Sequence, residues 1–197
     1  RNNDKKASKI TVSATIVGLD ATAQPTQRVA SIPYDNNDNL TNMIKWRVST
    51  DTSKILLAAW ADHDDDKLPT KLLVSVQDNK LSNIWKHNFT LPYTQDQLKI
   101  LNLTISNTGQ VFLSAKVYTD KKDKKASNKK DEPAPLPYKM VIFCMDASSD
   151  KAKEINPEVP GKFITDLSIN VGKHGDLYYA GLYTNDNQGV IRGIFYN

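Results

Sequence analysis

Apolar and polar residues alternate along almost the whole chain, and the apolar stretches are short. They are rich in Val, Ile, Thr, Tyr and Phe, and clusters of Asn, Asp, Gly, Pro and Ser separate them. This is the pattern of β-strands joined by turns, and helical periodicity is almost absent. We therefore expect an all-β fold. Twelve stretches predict strands, at residues 9–18, 27–34, 44–50, 54–61, 71–78, 81–89, 98–106, 110–118, 138–146, 162–171, 176–183 and 190–197.

Three segments have similar sequences and lie at similar intervals. They begin at Ser53, Gly109 and Gly175 and read SKILLAAWA, GQVFLSAKVY and GDLYYAGLY. The first interval is 56 residues and the second is 66, and the difference matches the greater length of the second hairpin loop, 119–137, over the first, 62–70. The sequence therefore contains a repeat with insertions in one hairpin. A further strand follows each hairpin loop, and these strands end at Asp78, Asp146 and Asn197.

The repeat unit has the strand content of a β-propeller blade. A fourth strand-like stretch, NIWKHNF or KEINPEV, follows the third strand in the first two units. Four antiparallel strands in a repeat of about 56 residues indicate a blade, which buries both faces only by stacking on its neighbours. We assign residues 34–89 to one blade, 98–159 to a second with the insertion 119–137, and 163–197 to a partial third. Residues 9–34 would supply the outer strands of a preceding blade.

The number of blades is too small for a closed ring. The chain holds between three and four units, whereas propellers close with about four to eight blades. We therefore expect a partial β-propeller, and the alternative is a β-sandwich whose strands are similar by chance. The chain begins at Arg1, and its last predicted strand reaches the final residue. We expect it to belong to a longer parent chain.

Several repeat phrases resemble those of uncharacterised exported propeller-like proteins of Bacteroidetes-type bacteria. The phrases are VSTDTSKILL, NIWKHNFTLPY, ISNTGQVFLSAKVY and GKFITDLSIN with GDLYYAGLY, and the resemblance covers about residues 40–197. It implies export to the periplasm, the outer membrane or the cell surface, and a binding or scaffold role without a defined ligand. The first unit has Ser53 where the others have glycine, so we expect its turn to differ.

Composition and charge exclude several classes of protein. Of the 197 residues, 39% are hydrophobic and 24% are charged, which suits one folded domain. The sequence contains no run of 18 apolar residues, so no membrane-spanning segment is predicted. The single cysteine, Cys144, excludes an internal disulfide framework. Half of the net charge of +4 lies in segment 119–137, which we interpret as a solvated loop rather than a nucleic-acid site.

Two stretches of acidic and amide residues are the candidates for a cation site. Several carboxylates in one loop suit Ca²⁺, which binds six to eight oxygen atoms. However, Lys67 and Leu73 stand where an EF-hand requires Gly and Glu, so we favour hairpin turns and assign neither a metal site nor a cofactor. The first stretch contains Asp62, Asp64, Asp65 and Asp66, and the second Asp35, Asn36, Asn37, Asp38 and Asn39.

No pattern of catalytic residues emerges. The three histidines have no metal-ligand spacing, Cys144 lies in an apolar strand, and no nucleophile elbow or phosphate-binding loop is present. A glycosidase needs a suitably spaced pair of Asp or Glu residues, and neither the three glutamates nor the many aspartates follow a spacing that selects such a pair. We interpret most aromatic residues as core, with Tyr178 and Tyr179 on opposite faces of one strand. The histidines are His63, His87 and His174, and the glutamates are Glu132, Glu154 and Glu158.

These observations favour a non-catalytic exported binding or scaffold module. Its partner would be a protein or the remainder of a longer parent chain, bound through loops such as 119–137 or through open strand edges. Two alternatives remain, a carbohydrate-binding module and a carbohydrate-active propeller enzyme. The first would bind a glycan on exposed aromatic residues, and the second would also need two placed carboxylates.

Overall fold

The computed structural model describes residues 8–34, 44–60, 67–118, 138–185 and 191–197, and these ranges contain strands and turns without a helix. The all-β prediction is confirmed, and every predicted strand has a counterpart. Within these ranges there are thirteen strands: β1 (Ser8–Ala14), β2 (Gln27–Tyr34), β3 (Ile44–Val48), β4 (Lys54–Trp60), β5 (Pro69–Asp78), β6 (Asn83–Thr94), β7 (Leu98–Ile105), β8 (Val111–Tyr118), β9 (Tyr138–Met145), β10 (Lys153–Ile155), β11 (Phe163–Val171), β12 (Leu177–Thr184) and β13 (Gly193–Tyr196).

The strands form antiparallel sheets in which each strand pairs with the next in sequence. Sheet 1 has the order β3-β4-β5-β6, sheet 2 β10-β9-β8-β7 and sheet 3 β11-β12-β13, while β1 and β2 form an N-terminal hairpin. The last strand of sheet 2, β10, ends at Ile155, short of the predicted stretch to residue 159. Pro157 and Pro160 follow it, and proline has no N–H to donate to a strand partner.

Sheet 2 is buried on both faces because its strands are apolar at consecutive positions. Along β8, Val111 and Leu113 pack in a cluster with residues of sheet 1, while Phe112 packs in a cluster with residues of sheet 3. The direction of successive side chains alternates along a strand, so a continuous apolar run supplies two interfaces at once. The layers therefore follow one another in the order hairpin, sheet 1, sheet 2, sheet 3.

The first strands of the three sheets lie side by side. Strand β7 of sheet 2 contacts β3 of sheet 1 and β11 of sheet 3. The guanidinium of Arg47 in β3 donates a hydrogen bond from Nε to the carbonyl oxygen of Leu103 in β7, at 3.1 Å. The sheets are thus joined along one common edge as well as through their faces.

The turns between the first two strands repeat closely, with one difference that the sequence alignment missed. Gly109 and Gly175 have φ angles of 89° and 93°, in the left-handed region where glycine avoids a steric cost. The N–H of each glycine donates a hydrogen bond to the carbonyl oxygen three residues earlier. In the turn of sheet 1 the equivalent hydrogen bond is donated by Thr52, whose φ angle is 59°. The first turn contains one additional residue, because Ser49 N bonds to Lys54 O whereas Ser106 N bonds to Gln110 O. The counterpart of the two glycines is therefore Thr52 and not Ser53.

The register of the third sheet shows that Asn197, although it also ends a strand, is not equivalent to Asp78 and Asp146. Asp78 lies opposite Lys54, and Asp146 follows Met145, which pairs with Val111. Asn197 instead exchanges backbone hydrogen bonds with Tyr179, a residue equivalent to Leu57 and Leu113. Asn197 therefore occupies a position three residues before that of the two aspartates, and it is not their counterpart.

Candidate functional site

The antiparallel topology divides the connections between strands into two groups at opposite ends of the sheets. One group, which we call the turn end, consists of short connections at 49–53, 79–82, 106–110, 146–152 and 172–176. The other, the loop end, comprises the connections 61–68, 119–137 and 185–192 together with the sheet-to-sheet links 95–97 and 156–162. The hairpin loops 61–68, 119–137 and 185–192, one from each of sheets 1 to 3, are therefore brought to the same end of these sheets.

The aspartates at the turn end serve as caps of turns. The carboxylate of Asp78 accepts hydrogen bonds from the N–H groups of Lys80 and Ser82, and that of Asp146 accepts one from the N–H of Ser148. These bonds satisfy backbone donors that tight turns leave unpaired. The strand-ending acids noted in the sequence therefore stabilise turns.

A groove of about 480 Å³ opens at the loop end, between β9, the link 156–162 and the start of β11. Its lining combines aromatic, amide and charged side chains, so both apolar and hydrogen-bonding contacts are available to a bound group. The link brings an exposed carboxylate, Glu158, to the wall of the groove. The principal lining residues are Tyr138, Lys139, Asn156, Glu158, Lys162 and Phe163.

Glu154 joins sheet 1 to sheet 2 beside this groove. The hydroxyl of Tyr93 in β6 lies 3.0 and 2.9 Å from its two carboxylate oxygens and donates to them. The ammonium of Lys139 lies 3.0 Å from Oε1 in an ion pair and also donates to Asn156. Burial lowers the pKa of Lys139, but its interactions with Tyr93 and Glu154 outweigh this and raise the pKa overall. Both oxygens of Glu154 are thus engaged in a structural joint.

Three lysines at the loop end lie over tyrosine rings. The ammonium nitrogens of Lys116, Lys139 and Lys162 are 4.1, 5.5 and 5.9 Å from the ring centroids of three tyrosines, which is within the range of cation–π attraction. The tyrosines are Tyr138, Tyr93 and Tyr183, respectively. The loop end therefore presents positive charge beside aromatic faces.

The rings of Tyr118 and Tyr138, which lie at this end, are not coplanar. The rings of Tyr118 and Tyr138 lie 5.8 Å apart at an angle of 67°. Burial, followed by electrostatic interactions with Tyr118 and Asp166, raises the pKa of Tyr138, which favours its neutral phenol. Neither tyrosine was singled out in the sequence, because each contact joins residues that are far apart along the chain.

Among the described residues, His87, His174 and Cys144 lie at separate places in the fold. Nε2 of His87 lies 3.1 Å from the carbonyl oxygen of Ala147, at the joint between sheets 1 and 2, whereas His174 is exposed in the β11–β12 turn. Cys144 is half-buried and accepts a hydrogen bond from Gln110. Burial, and then the charge of Asp146, raises its pKa, which favours the thiol over the reactive thiolate.

The candidate calcium residues cannot be placed. Both acidic and amide stretches, 35–39 and 62–66, lie outside the described residues, as do His63 and Glu132. Among the residues that the structure does describe, no group of three or more His, Cys, Asp or Glu side chains could hold a metal ion. No helix long and apolar enough to cross a membrane occurs in the same part of the chain.

Comparison with known proteins leaves the chain without an assigned family. No protein-family model matches it, and neither the curated proteins nor the solved structures contain a significant match.

Proposed function

We propose that the chain is a partial β-propeller. Two observations support this architecture: successive sheets stack in series with sheet 2 covered on both faces, and the first strands β3, β7 and β11 lie side by side. A two-sheet sandwich has one interface and no layer covered on both faces. In a propeller, by contrast, every blade is covered by two neighbours and the first strands surround the axis.

We infer further that the protein is a non-catalytic binding or scaffold module that contacts a protein partner through its loop end. The observation that carries this proposal is the distribution of the connections within sheets 1 to 3, since the loops between the second and third strands, 61–68, 119–137 and 185–192, all start and end at the loop end. Rigid sheets that display loops of variable length at one end are a common arrangement for recognition. The tyrosines of the three lysine–tyrosine pairs lie at the same end and add aromatic area, which is enriched at protein interfaces.

The contacts of Glu154 favour a structural role for this residue. A glycosidase needs one free carboxylic acid and one free carboxylate about 5–10 Å apart. The carboxylate of Glu154 is engaged by Tyr93 and Lys139, and its position in the joint between sheets accounts for these contacts. Export to the periplasm, the outer membrane or the cell surface is proposed from the resemblance of the repeat phrases. Antibody detection in fractions of the producing cells would test it.

Glycan binding is the second candidate, and the groove beside Glu158 is the observation that favours it. Tyr138 and Phe163 provide apolar surface there, while Asn156 and Lys162 provide hydrogen-bonding groups. A glycan array followed by a hydrolysis assay separates the classes. A carbohydrate-binding module would retain a glycan without cleaving it, an enzyme would release product, and a protein-binding module would do neither.

Site-specific crosslinking tests the location of the partner site. A photoreactive amino acid would replace exposed Glu158 at the loop end and, as a matched control, exposed Lys80 at the turn end. In the producing cells we expect a discrete protein adduct from position 158 and none from position 80. Equal labelling from both positions, or adducts from position 80 alone, would contradict a partner site at the loop end.

A further inference from the structure

The register of the strands allows the three sheets to be superposed residue by residue. Val48 pairs with Ile55, Ile105 with Val111, and Val171 with Leu177, so these three pairs are equivalent. We call the face that each sheet turns toward the following sheet its forward face, and the opposite face its backward face. Equivalent positions can then be compared for their exposure.

The forward face of sheet 3 is exposed where those of sheets 1 and 2 are buried. Val74 and Ile142 pair with Ala58 and Ser114 and are 0% exposed, whereas their equivalent Tyr196, paired with Ala180, is 88% exposed. The same contrast holds at two further positions. Tyr178 is exposed, whereas its equivalents Leu56 and Phe112 are buried. Ile194 is exposed, whereas its equivalents Leu72 and Met140 are buried.

The backward face of sheet 1 shows the opposite half of the same pattern. Trp46 in β3 is 65% exposed, while its equivalents Leu103 and Ile169 are 3% and 4% exposed beneath the preceding sheet. The N-terminal hairpin packs on Leu57, Ala59 and Leu73, in the adjoining strands β4 and β5. It leaves β3 uncovered among the described residues, and Ile44 and Val48 are exposed beside Trp46.

These two exposed faces are the two halves of a joint that the chain already makes within itself. Between sheets 2 and 3, Phe112, Met140 and Ile142 of a forward face pack with Leu167, Ile169 and Val171 of a first strand's backward face. Tyr178, Ile194 and Tyr196 are equivalent to the first set, and Trp46 and Val48 to the second. One molecule thus carries an unpaired forward half at one end of its stack and, along β3 beside the hairpin, an uncovered part of a backward half at the other.

We propose that the occupant of each half is a second copy of this chain, so that sheet 3 of one copy packs on β3 of the next. Covering both apolar surfaces removes them from water, and the two surfaces occupy the positions at which consecutive sheets of this chain pack on each other. The contact joins two different surfaces and is therefore heterologous, which leads to a ring or an open filament. This inference rests on the proposed partial propeller and goes beyond the loop-end partner site, because it names an occupant for the open sheet faces.

Light scattering on a size-exclusion column tests the proposal with two single-face variants. The wild type is expected to exceed 22 kDa and to grow in mass with concentration. Ile194→Lys removes the forward half and Trp46→Lys the backward half, so each variant alone should be monomeric. An equimolar mixture should form a dimer and stop there, because one intact half remains on each variant. Ile84→Lys, at another exposed apolar position, is the matched control and should assemble as the wild type does.

Three outcomes would overturn the inference. These are a wild type that stays at 22 kDa at every concentration, an assembly lost in Ile194→Lys but kept in Trp46→Lys, and two variants that fail to combine. The second of these would indicate a symmetric pair through sheet 3. Circular dichroism and thermal melting identify any variant that fails to fold. Tyr196→Lys then replaces Ile194→Lys, and Val48→Lys replaces Trp46→Lys. Loop-end crosslinking from position 158 in Ile194→Lys shows separately whether the proposed function holds.

Discussion

The side-chain oxygen of Asn107 accepts a hydrogen bond from the backbone N–H of Asp51 at 3.2 Å, which ties the first turn of sheet 2 to that of sheet 1. The amide nitrogen of the same side chain donates to the carbonyl oxygen of Lys173, at 3.1 Å, in the first turn of sheet 3. One asparagine therefore links three sheets at the turn end, where the connections are short.

We expect Asn107→Ala to lower the free energy of unfolding by about 1–2 kcal/mol, because two exposed hydrogen bonds are lost. Asn107→Asp keeps the acceptor for Asp51 and loses the donor to Lys173, so its effect should be intermediate. Urea denaturation measures both, with Asn79→Ala in an exposed turn position as the control. Equal stability of Asn107→Ala and the control would contradict the bridging role.

The one-residue difference between the first turns predicts opposite effects at neighbouring positions. Thr52→Gly relieves a β-branched residue of a φ of 59° and should raise the free energy of unfolding by up to about 1 kcal/mol. Ser53→Gly removes the hydroxyl that donates to Asp51 and should lower it by a similar amount. Thermal unfolding of the two variants distinguishes the structural alignment from the one read in the sequence. A gain in Ser53→Gly alone would support the sequence alignment.

Asp51 should make the protein more stable above pH 4 than near pH 2. Hydrogen bonds from the Ser49 hydroxyl and the Ser53 N–H lower its pKa from 3.8 to about 2. The unfolded state therefore binds more protons between these values, so the stabilisation is complete above the unfolded pKa and is lost as the pH falls through the folded one. The difference in unfolding free energy between the wild type and Asp51→Asn, measured from pH 5 to pH 2, should shrink toward acid. A difference independent of pH would exclude this contribution.

The joint around Glu154 should depend more on Tyr93 than on Lys139. The half-buried phenol donates to a charged carboxylate, an interaction worth about 1.5–3 kcal/mol, whereas the ion pair with the exposed lysine is worth about 0–1 kcal/mol. Double-mutant cycles of Glu154→Gln with Tyr93→Phe and with Lys139→Met give the two coupling energies. The larger coupling is expected for Tyr93, and added salt should weaken only that of Lys139.

The strands and the order of the repeat were predictable from the sequence because their signals are local. Side-chain direction alternates along a strand, so residues such as Phe112 and Leu113 indicate by their succession alone that both faces of β8 are buried. Turn residues mark the strand ends for an equally local reason. Gly109 and Gly175 occupy backbone conformations that other residues adopt only at a cost.

The tertiary structure alone decided which faces and ends meet. Tyr178 and Phe112 occupy equivalent positions in similar strands, yet one is exposed and the other buried, because burial depends on whether another sheet lies opposite. Lys139 reaches Tyr93, and Asn107 reaches Asp51, across intervals of 46 and 56 residues, and no local pattern encodes such contacts. The direction of side chains alternates between neighbouring residues, so the sequence by itself determined the strands. The sheets stack through contacts between distant parts of the chain, so only the tertiary structure determined the joints, the groove and the open faces.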